Sequence, residues 1–253
     1  MKSEFHKLLR LSNRYILNKP FLVGGVPRDF VLGTSGKTFD YDITTNNADS
    51  IRLGVLFSEE TDRPFRLFQE GNLKVMFDKF SYDFSSNFES DGVIKFLNNK
   101  GSGAGSADYE TYSRDFTINT LQQDMDSHDI MDPTGMGVKD IEDGIIRTPV
   151  PAEITLIDDP RRIFRAINFS ARYGMDVDSE IINFVRDNNK EIFNTELRPK
   201  DSFIVSKVGE SISNDADRTI QLLDDMNILD EVPLEGLFKE QIIKRRMVLD
   251  YLD

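Results

Sequence analysis

Phe21-Leu22-Val23-Gly24-Gly25-Val26-Pro27-Arg28-Asp29, followed by Thr38-Phe39-Asp40-Tyr41-Asp42-Ile43, is the stretch that decides the fold. An apolar run breaks at two glycines and resumes as a helix-like segment, Arg28 to Leu32, closed by Gly33. Strand, glycine turn and helix start in that order predict a phosphate cradle. Gly24 and Gly25 let the backbone approach a triphosphate, the amides at the helix start point toward it, and Arg28 adds a planar cationic fork. The plainer reading of the same residues is a tight turn, with Arg28 paired to Asp29 or to solvent. On a strand, residues i and i+2 share a face, so Asp40 and Asp42 project together. With Cα atoms roughly 6–7 Å apart, their carboxylates can converge on two divalent ions about 3.5–4 Å from each other, the spacing that in-line phosphoryl displacement uses. Mg²⁺ is the expected metal. Alone, an Asp-x-Asp in an acidic chain usually marks a solvated strand edge; the glycine turn ahead of it is what makes this pair a candidate site.

Composition narrows the chemistry. The 253 residues include no cysteine and only two histidines, His6 and His128, so disulfides, thiol nucleophiles and Cys-ligated zinc are excluded and carboxylates must carry any metal chemistry. The net charge is −13, with 17 Lys and Arg against 23 Asp and Glu in residues 1–150 and 14 against 21 in residues 151–253. Neither part has the basic balance of a general nucleic-acid binder. Any RNA contact is therefore local, and Lys244-Arg245-Arg246, the one dense basic run, is either such a contact or a solvated helix face. No apolar run approaches the roughly 20 residues that span a bilayer, and the start lacks a signal peptide's apolar stretch. A soluble, cytoplasmic protein without membrane contact is expected.

Outward from the glycine turn, Leu8, Leu9, Leu11, Tyr15 and Ile16 predict an amphipathic helix ending before Pro20, and Ala48–Leu56 reads as another. Residues 65–88 alternate as half-buried strands through Leu73, Val75, Phe77, Phe80, Tyr82 and Phe84. The Gly/Ser segment from Asn98 to Ser106 is expected to be mobile, as a loop over a site or as a tether. From Ser113 the pattern suggests a helix start, then a hairpin at Asp126-Ser127-His128 and a turn at Asp132-Pro133-Thr134-Gly135. Beyond Pro151 helical periods dominate, which places a boundary at 149/150.

The second informative segment is Asp158-Asp159-Pro160-Arg161-Arg162-Ile163-Phe164-Arg165-Ala166-Ile167-Asn168. At 100° per residue, Asp159, Arg162 and Arg165 share one arc of the helix while Ile163, Phe164, Ile167 and Ala171 share another. The polar arc could offer a base a fixed hydrogen-bonding edge; a bidentate contact of that kind discriminates by about 1–3 kcal/mol. The structural alternative has Asp159 as N-cap before Pro160 and Asp158 pairing with Arg162 on the surface.

Together these segments resemble the class II tRNA nucleotidyltransferase and poly(A) polymerase family. Gly24-Gly25-Val26-Pro27-Arg28-Asp29 matches its Gly-Gly-x-x-Arg-Asp motif, and Asp40 and Asp42 with Ile43-Thr44-Thr45-Asn46 match its metal motif. Ser113-Arg114-Asp115-Phe116-Thr117-Ile118-Asn119-Thr120-Leu121 matches a third. Asp132-Pro133, Lys139-Asp140-Ile141 and Asp143-Gly144-Ile145-Ile146-Arg147-Thr148 follow in the family's order, and Asp158-Asp159-Pro160-Arg161-Arg162 matches its Glu-Asp-x-x-Arg motif. The resemblance implies an α+β fold: a polymerase-β-like nucleotidyltransferase head over 1–149, with a mixed β-sheet and helices, then an all-helical neck over 150–253. It implies that Asp40 and Asp42 bind two Mg²⁺ ions, that Gly24, Gly25, Arg28 and Arg114 hold incoming ATP or CTP, and that Asp159 and Arg162 read the base with Arg165 nearby. The implied reaction is addition of CMP and AMP to a tRNA 3′ end.

Pro27 stands where the family commonly has Val, Ser113 replaces an Arg, Asp158 a Glu and Asn168 an Arg. The family's body and tail do not follow before Asp253, so a protein partner or homo-oligomer is expected to supply the missing RNA grip. Two alternatives stay open beside CCA addition: poly(A) or oligo(A) addition to other RNA ends, and a noncatalytic nucleotide- or RNA-end-binding module. Asp83 is a further carboxylate that the sequence does not assign.

Overall fold

In the computed structural model, which describes residues 2–34, 40–68, 71–85, 89–101, 103–195 and 202–232, the chain divides into two units, residues 1–143 and 144–253. The division falls slightly ahead of the 149/150 boundary read from the sequence. The first unit mixes strands and helices: α1 Lys2–Arg14, β1 Phe21–Val23, α2 Gly25–Val31, β2 Asp40–Thr44, α3 Asp49–Thr61, β3 Phe65–Leu67, β4 Leu73–Met76, β5 Ser81–Phe84, α4 Asp91–Asn99, α5 Ser106–Tyr112, β6 Gln122–Asp124, β7 Ile130–Met131 and α6 Gly137–Asp143. Its seven strands form one sheet in the order β3-β4-β5-β2-β1-β6-β7. Only β2 and β5 run parallel; every other pair is antiparallel.

Alternation along the strands sorts the sheet into two faces. Tyr41 and Ile43 of β2, Leu73 and Val75 of β4, and Tyr82 and Phe84 of β5 join Phe5, Leu8 and Leu11 of α1 and Leu53 and Phe57 of α3 in one buried core. Aromatic edge-to-face contacts knit it, among them Phe57 with Tyr82 at 5.1 Å and Phe5 with Tyr41 at 5.7 Å between centroids. At Gly54, α3 comes so close to the sheet that a Cβ would lie 2.8 Å from Leu73 Cδ2 and 2.9 Å from the Phe84 ring. The opposite face carries Asp40, Asp42 and Thr44 of β2, Lys74 of β4, and Ser81 and Asp83 of β5.

The hairpin at 126–128 joins β6 to β7, and the turn at 132–135 leads into α6. The helix start expected at Ser113 is absent. α5 ends at Tyr112, Ser113 is its C-cap, and a single 3₁₀ turn covers Thr117–Asn119. The physical reason lies in side chains that replace helical bonds. Asp115 Oδ1 accepts from Phe116 N and from Asn119 Nδ2, both at 2.9 Å, and Thr120 Oγ1 donates to Thr117 O at 2.7 Å. The Gly/Ser segment links α4 to α5, with Gly101 and Gly103 at positive φ; Ser102 lies outside the described residues.

The second unit contains β8 Ile145–Ile146, α7 Ala152–Asp158, α8 Arg162–Tyr173, β9 Asp176–Val177, α9 Ser179–Thr195, α10 Ser202–Asn214 and α11 Ala216–Asp225, then a 3₁₀ turn at Leu229–Glu231. Among the described residues it is helical except for the short parallel pair β8–β9, so the stretch expected to be all-helical from residue 150 carries one short strand, paired to Ile145–Ile146 ahead of it. α8 is held from three sides. Arg162 Nη1 donates to Thr155 O of α7 at 3.2 Å, Asn168 Nδ2 to Ser211 Oγ of α10 at 3.3 Å, and Arg218 of α11 to Ser170 Oγ at 2.6 Å. Among the described residues, no helix is long and apolar enough to cross a membrane.

Candidate active site

The polar face of β2 runs from water into the protein. Asp40 is exposed, Asp42 is half-buried and Thr44 is fully buried. The parallel register of β2 and β5 sets Asp40 beside Ser81 and Asp42 beside Asp83. Ser81 Oγ donates to Asp40 Oδ1, and Lys74 Nζ lies 2.9 Å from Asp83 Oδ2 and 3.5 Å from Asp40 Oδ1. Three carboxylates therefore share one end of the face with one ammonium group. Burial, with the charges of Asp83 and Asp40 adding to it and those of Arg114 and Lys74 opposing it, pushes the Asp42 carboxyl up to about 6. Asp83 is likewise raised, by burial first.

The glycine turn lies directly against this face. Val23 pairs with Asp42 across β1 and β2, so the chain enters the turn beside the aspartate. Gly24 has φ 71 and ψ −122, a conformation that a Cβ would strain. A Cβ there would lie 2.9 Å from Asp42 Oδ2 and 3.9 Å from Arg114 Nη1, so the turn, the aspartate and the guanidinium meet at one point. Arg114 is held by Glu110, whose Oε1 accepts from Nη2 at 3.2 Å, and Glu110 Oε2 accepts from Thr44 Oγ1 at 2.9 Å.

Arg28 is placed differently. It is buried, donating from Nε to Asp29 Oδ1 and from Nη1 to Asn119 Oδ1, each at 2.8 Å. Its fork ties α2 to the 3₁₀ turn of the third motif, and the Asp29 pairing considered as the plainer reading is present. Pro27 sits in the first turn of α2, where a missing N–H costs little. Ser113 Oγ accepts from Ser90 N at 2.9 Å, joining the start of α4 to the end of α5. Asp140 Oδ2 accepts from Thr117 Oγ1 at 2.6 Å, which fastens α6 to the third motif.

In the second unit, Asp159 follows the last residue of α7 and accepts from Arg161, through the backbone N at 3.1 Å and Nε at 2.8 Å. The N-cap of α8 is Arg161, not Asp159. Arg162 is buried, with Nη2 3.6 Å from Asp158 Oδ2, so the expected Asp158–Arg162 pair forms with its carboxylate at the surface and its guanidinium beneath it. α8 is thus less open on its polar arc than its period indicates, because α7 covers Arg162. Arg165 packs over Phe169, with its guanidinium 5.6 Å from the ring centroid. Asn168 is buried against Ser211. The Lys244-Arg245-Arg246 run lies outside the described residues.

The donor set on β2 fits a divalent cation. Two carboxylates share a face, and burial first, with the charges of Asp83 and Asp40 adding to it, disfavours ionisation of Asp42, a penalty that a cation would relieve. Among the described residues, no group of three or more His, Asp or Glu side chains converges closely enough to hold a metal; Asp83 is engaged with Lys74. Sequence reasoning named neither Lys74 nor Glu110 as part of the site. Lys74 could be placed on the polar face from its position between Leu73 and Val75, whereas Glu110 carries no local signal.

Comparison with known proteins identifies the family. Residues 20–147, half of the chain, match the family model for the poly A polymerase head domain, and the chain belongs to that family. It is 32% identical over 182 residues to poly(A) polymerase I of Escherichia coli O6:H1, covering 66% of this chain and 37% of that protein. It is 36% identical over 78 residues to the mitochondrial CCA tRNA nucleotidyltransferase of Saccharomyces cerevisiae, covering 31% of this chain and 14% of that one. The chain thus spans little more than a third of these curated relatives at most. The fold also matches a tRNA nucleotidyltransferase solved with a primer tRNA and an incoming ATP analog, with TM-score 0.69, 20% identity, and coverage of 89% of this chain and 62% of that one. The Bacillus stearothermophilus CCA-adding enzyme solved with CTP aligns with TM-score 0.69 and 21% identity over 92% of this chain and 55% of that one.

Proposed function

We propose that this chain is a template-independent RNA nucleotidyltransferase that adds CMP and AMP to tRNA 3′ ends. The observation that carries this reading is the meeting of Gly24, Asp42 and Arg114 at one point on the polar face of the sheet. In this reading Asp40 and Asp42 hold two Mg²⁺ ions, which when bound would promote ionisation of the attacking hydroxyl and neutralise charge on the transferred phosphate. Gly24 and Gly25 leave room for the triphosphate beside the backbone, and Arg114 presents a guanidinium to its anionic oxygens. The RNA 3′-hydroxyl attacks the α-phosphorus in line, the bond to the bridging oxygen breaks, and pyrophosphate leaves. Arg28 fixes α2 against Asn119 and is proposed to hold the nucleotide from that position. Asp159, Arg162 and Arg165 are proposed to select the base, and residues 150–253 to serve as the neck.

Relatives solved with a primer tRNA and an ATP analog, and with CTP, support tRNA and these nucleotides as substrates. The 182-residue alignment to a poly(A) polymerase favours a second reading, addition of A alone to other RNA ends. The test is incorporation of labelled CTP and ATP, with Mg²⁺, into a tRNA ending before its CCA, beside an unrelated RNA of equal length. Stepwise addition of two C and one A to the tRNA alone is the expected result. A-only addition to both RNAs would replace it with the second reading, and no incorporation into either would overturn both.

A further inference from the structure

We infer that Glu110 is a positioning residue that fixes the Arg114 guanidinium beside Asp42; the inference rests on the proposed role of Arg114 in holding the nucleotide. Glu110 lies on α5 and is 3% exposed, a burial that an ionised carboxylate tolerates only when its oxygens are paired. Both are paired, and to two different elements. Oε2 accepts from Thr44 Oγ1, and Thr44 shares a face of β2 with Asp42 two residues before it. Oε1 accepts from Arg114 Nη2. The carboxylate therefore links the strand that carries Asp42 to the cation beside Asp42.

Position along the chain explains why Arg114 needs this link. α5 ends at Tyr112 and Ser113 is its C-cap, so Arg114 stands beyond the regular helix. Its long side chain has many rotamers, and freezing them costs entropy that ligand binding would otherwise have to offset. A buried, charge-assisted acceptor four residues earlier selects one direction before any ligand arrives. With Nη2 committed to Glu110, Nη1 is left facing the Gly24 turn, 3.9 Å from the point where a Cβ would sit. Preorganisation of that kind should appear in nucleotide affinity and should act only through Arg114.

The test is ATP affinity in Mg²⁺, measured by calorimetry on the 253-residue chain and on Glu110→Gln, Arg114→Ala and the double variant. Gln keeps the shape and can still bond Thr44, but it loses the charge that holds Arg114. Glu110→Gln is expected to weaken ATP about tenfold, or about 1.4 kcal/mol. Arg114→Ala is expected to weaken it by at least as much, and the double variant to be no weaker than Arg114→Ala, since Glu110 acts only through the guanidinium. A purely structural role would give additive losses, and additive losses overturn the inference. Wild-type affinity in Glu110→Gln beside a weakened Arg114→Ala overturns it while leaving the Arg114 role intact. Wild-type affinity in Arg114→Ala overturns both. If Glu110→Gln fails to fold, Thr44→Val removes the anchor on β2, together with the acceptor for Asn46 N; about threefold weaker ATP is then expected where Arg114 is present, and unchanged affinity, or the same loss in the Arg114→Ala background, contradicts the inference.

Discussion

Asp42 occupies the space that a side chain on Gly24 would need: a Cβ on Gly24 would stand 2.9 Å from Asp42 Oδ2. The glycine turn and the aspartate strand, with Gly24 and Asp42 18 positions apart in the chain, are one local structure. The relationship makes Gly24→Ala costly twice over, through a backbone conformation reserved for glycine and through displacement of the carboxylate. A stability loss of about 1–3 kcal/mol is expected, together with weaker Mn²⁺ binding. Thermal melts and Mn²⁺ titration followed by electron paramagnetic resonance check it; an unperturbed melt would show that the turn relaxes freely.

Gly54 answers to packing alone. In an exposed helix Gly→Ala gains about 1 kcal/mol, but here the added methyl would press on Leu73 and on the Phe84 ring at 2.8–2.9 Å. Overpacking of a tight core costs about 1–3 kcal/mol, so Gly54→Ala is expected to lower the midpoint in chemical denaturation. A raised midpoint would mean that α3 can move off the sheet.

Asp42 supplies a pH signature. Its carboxyl lies at about 6 in the folded chain against an ordinary 3.8. The folded state therefore keeps a proton that the unfolded chain has released, and stability falls as pH rises from about 4 to about 6, then levels. In metal-free buffer Asp42→Asn should be more stable than the parent at pH 7.5, by on the order of 1–3 kcal/mol, and the difference should vanish near pH 4. Mg²⁺ should stabilise the parent at pH 7.5 and leave the variant unmoved. Parallel melting curves across the pH range would contradict the assignment.

Lys74 places a fixed positive charge between Asp83 and Asp40. Removing it leaves the carboxylates unscreened, so Lys74→Met is expected to bind Mn²⁺ several-fold more tightly at low ionic strength. Weaker binding would mean that Lys74 serves to hold Asp83 in place.

Much of this was legible in the sequence because it is local. Alternation through Leu73, Val75, Tyr82 and Phe84 fixes which strand faces are apolar, and the break at Gly24-Gly25 marks the turn before α2. What escaped depends on partners distant in the chain. Arg28 reads as a cation of the phosphate cradle, or as a partner of Asp29 or solvent, until Asn119, 91 residues away, accepts one of its donors. Arg162 reads as part of an open polar arc until the carbonyl of Thr155 and the carboxylate of Asp158 enclose it. Asp83 and Lys74 join the site only through strand register. Asp115 imitates helix bonding well enough that its segment reads as a helix start, when its side chain builds a single turn.

The most direct test of the central claim is nucleotide incorporation by Asp42→Ala, measured beside its thermal melt in the same preparation. With labelled ATP and CTP, Mg²⁺ and a tRNA ending before its CCA, the account predicts incorporation by the parent and loss of at least a thousandfold in the variant, about 4 kcal/mol of transition-state stabilisation, with the variant still folded. Sustained incorporation by folded Asp42→Ala would contradict it and place the chemistry elsewhere in the chain.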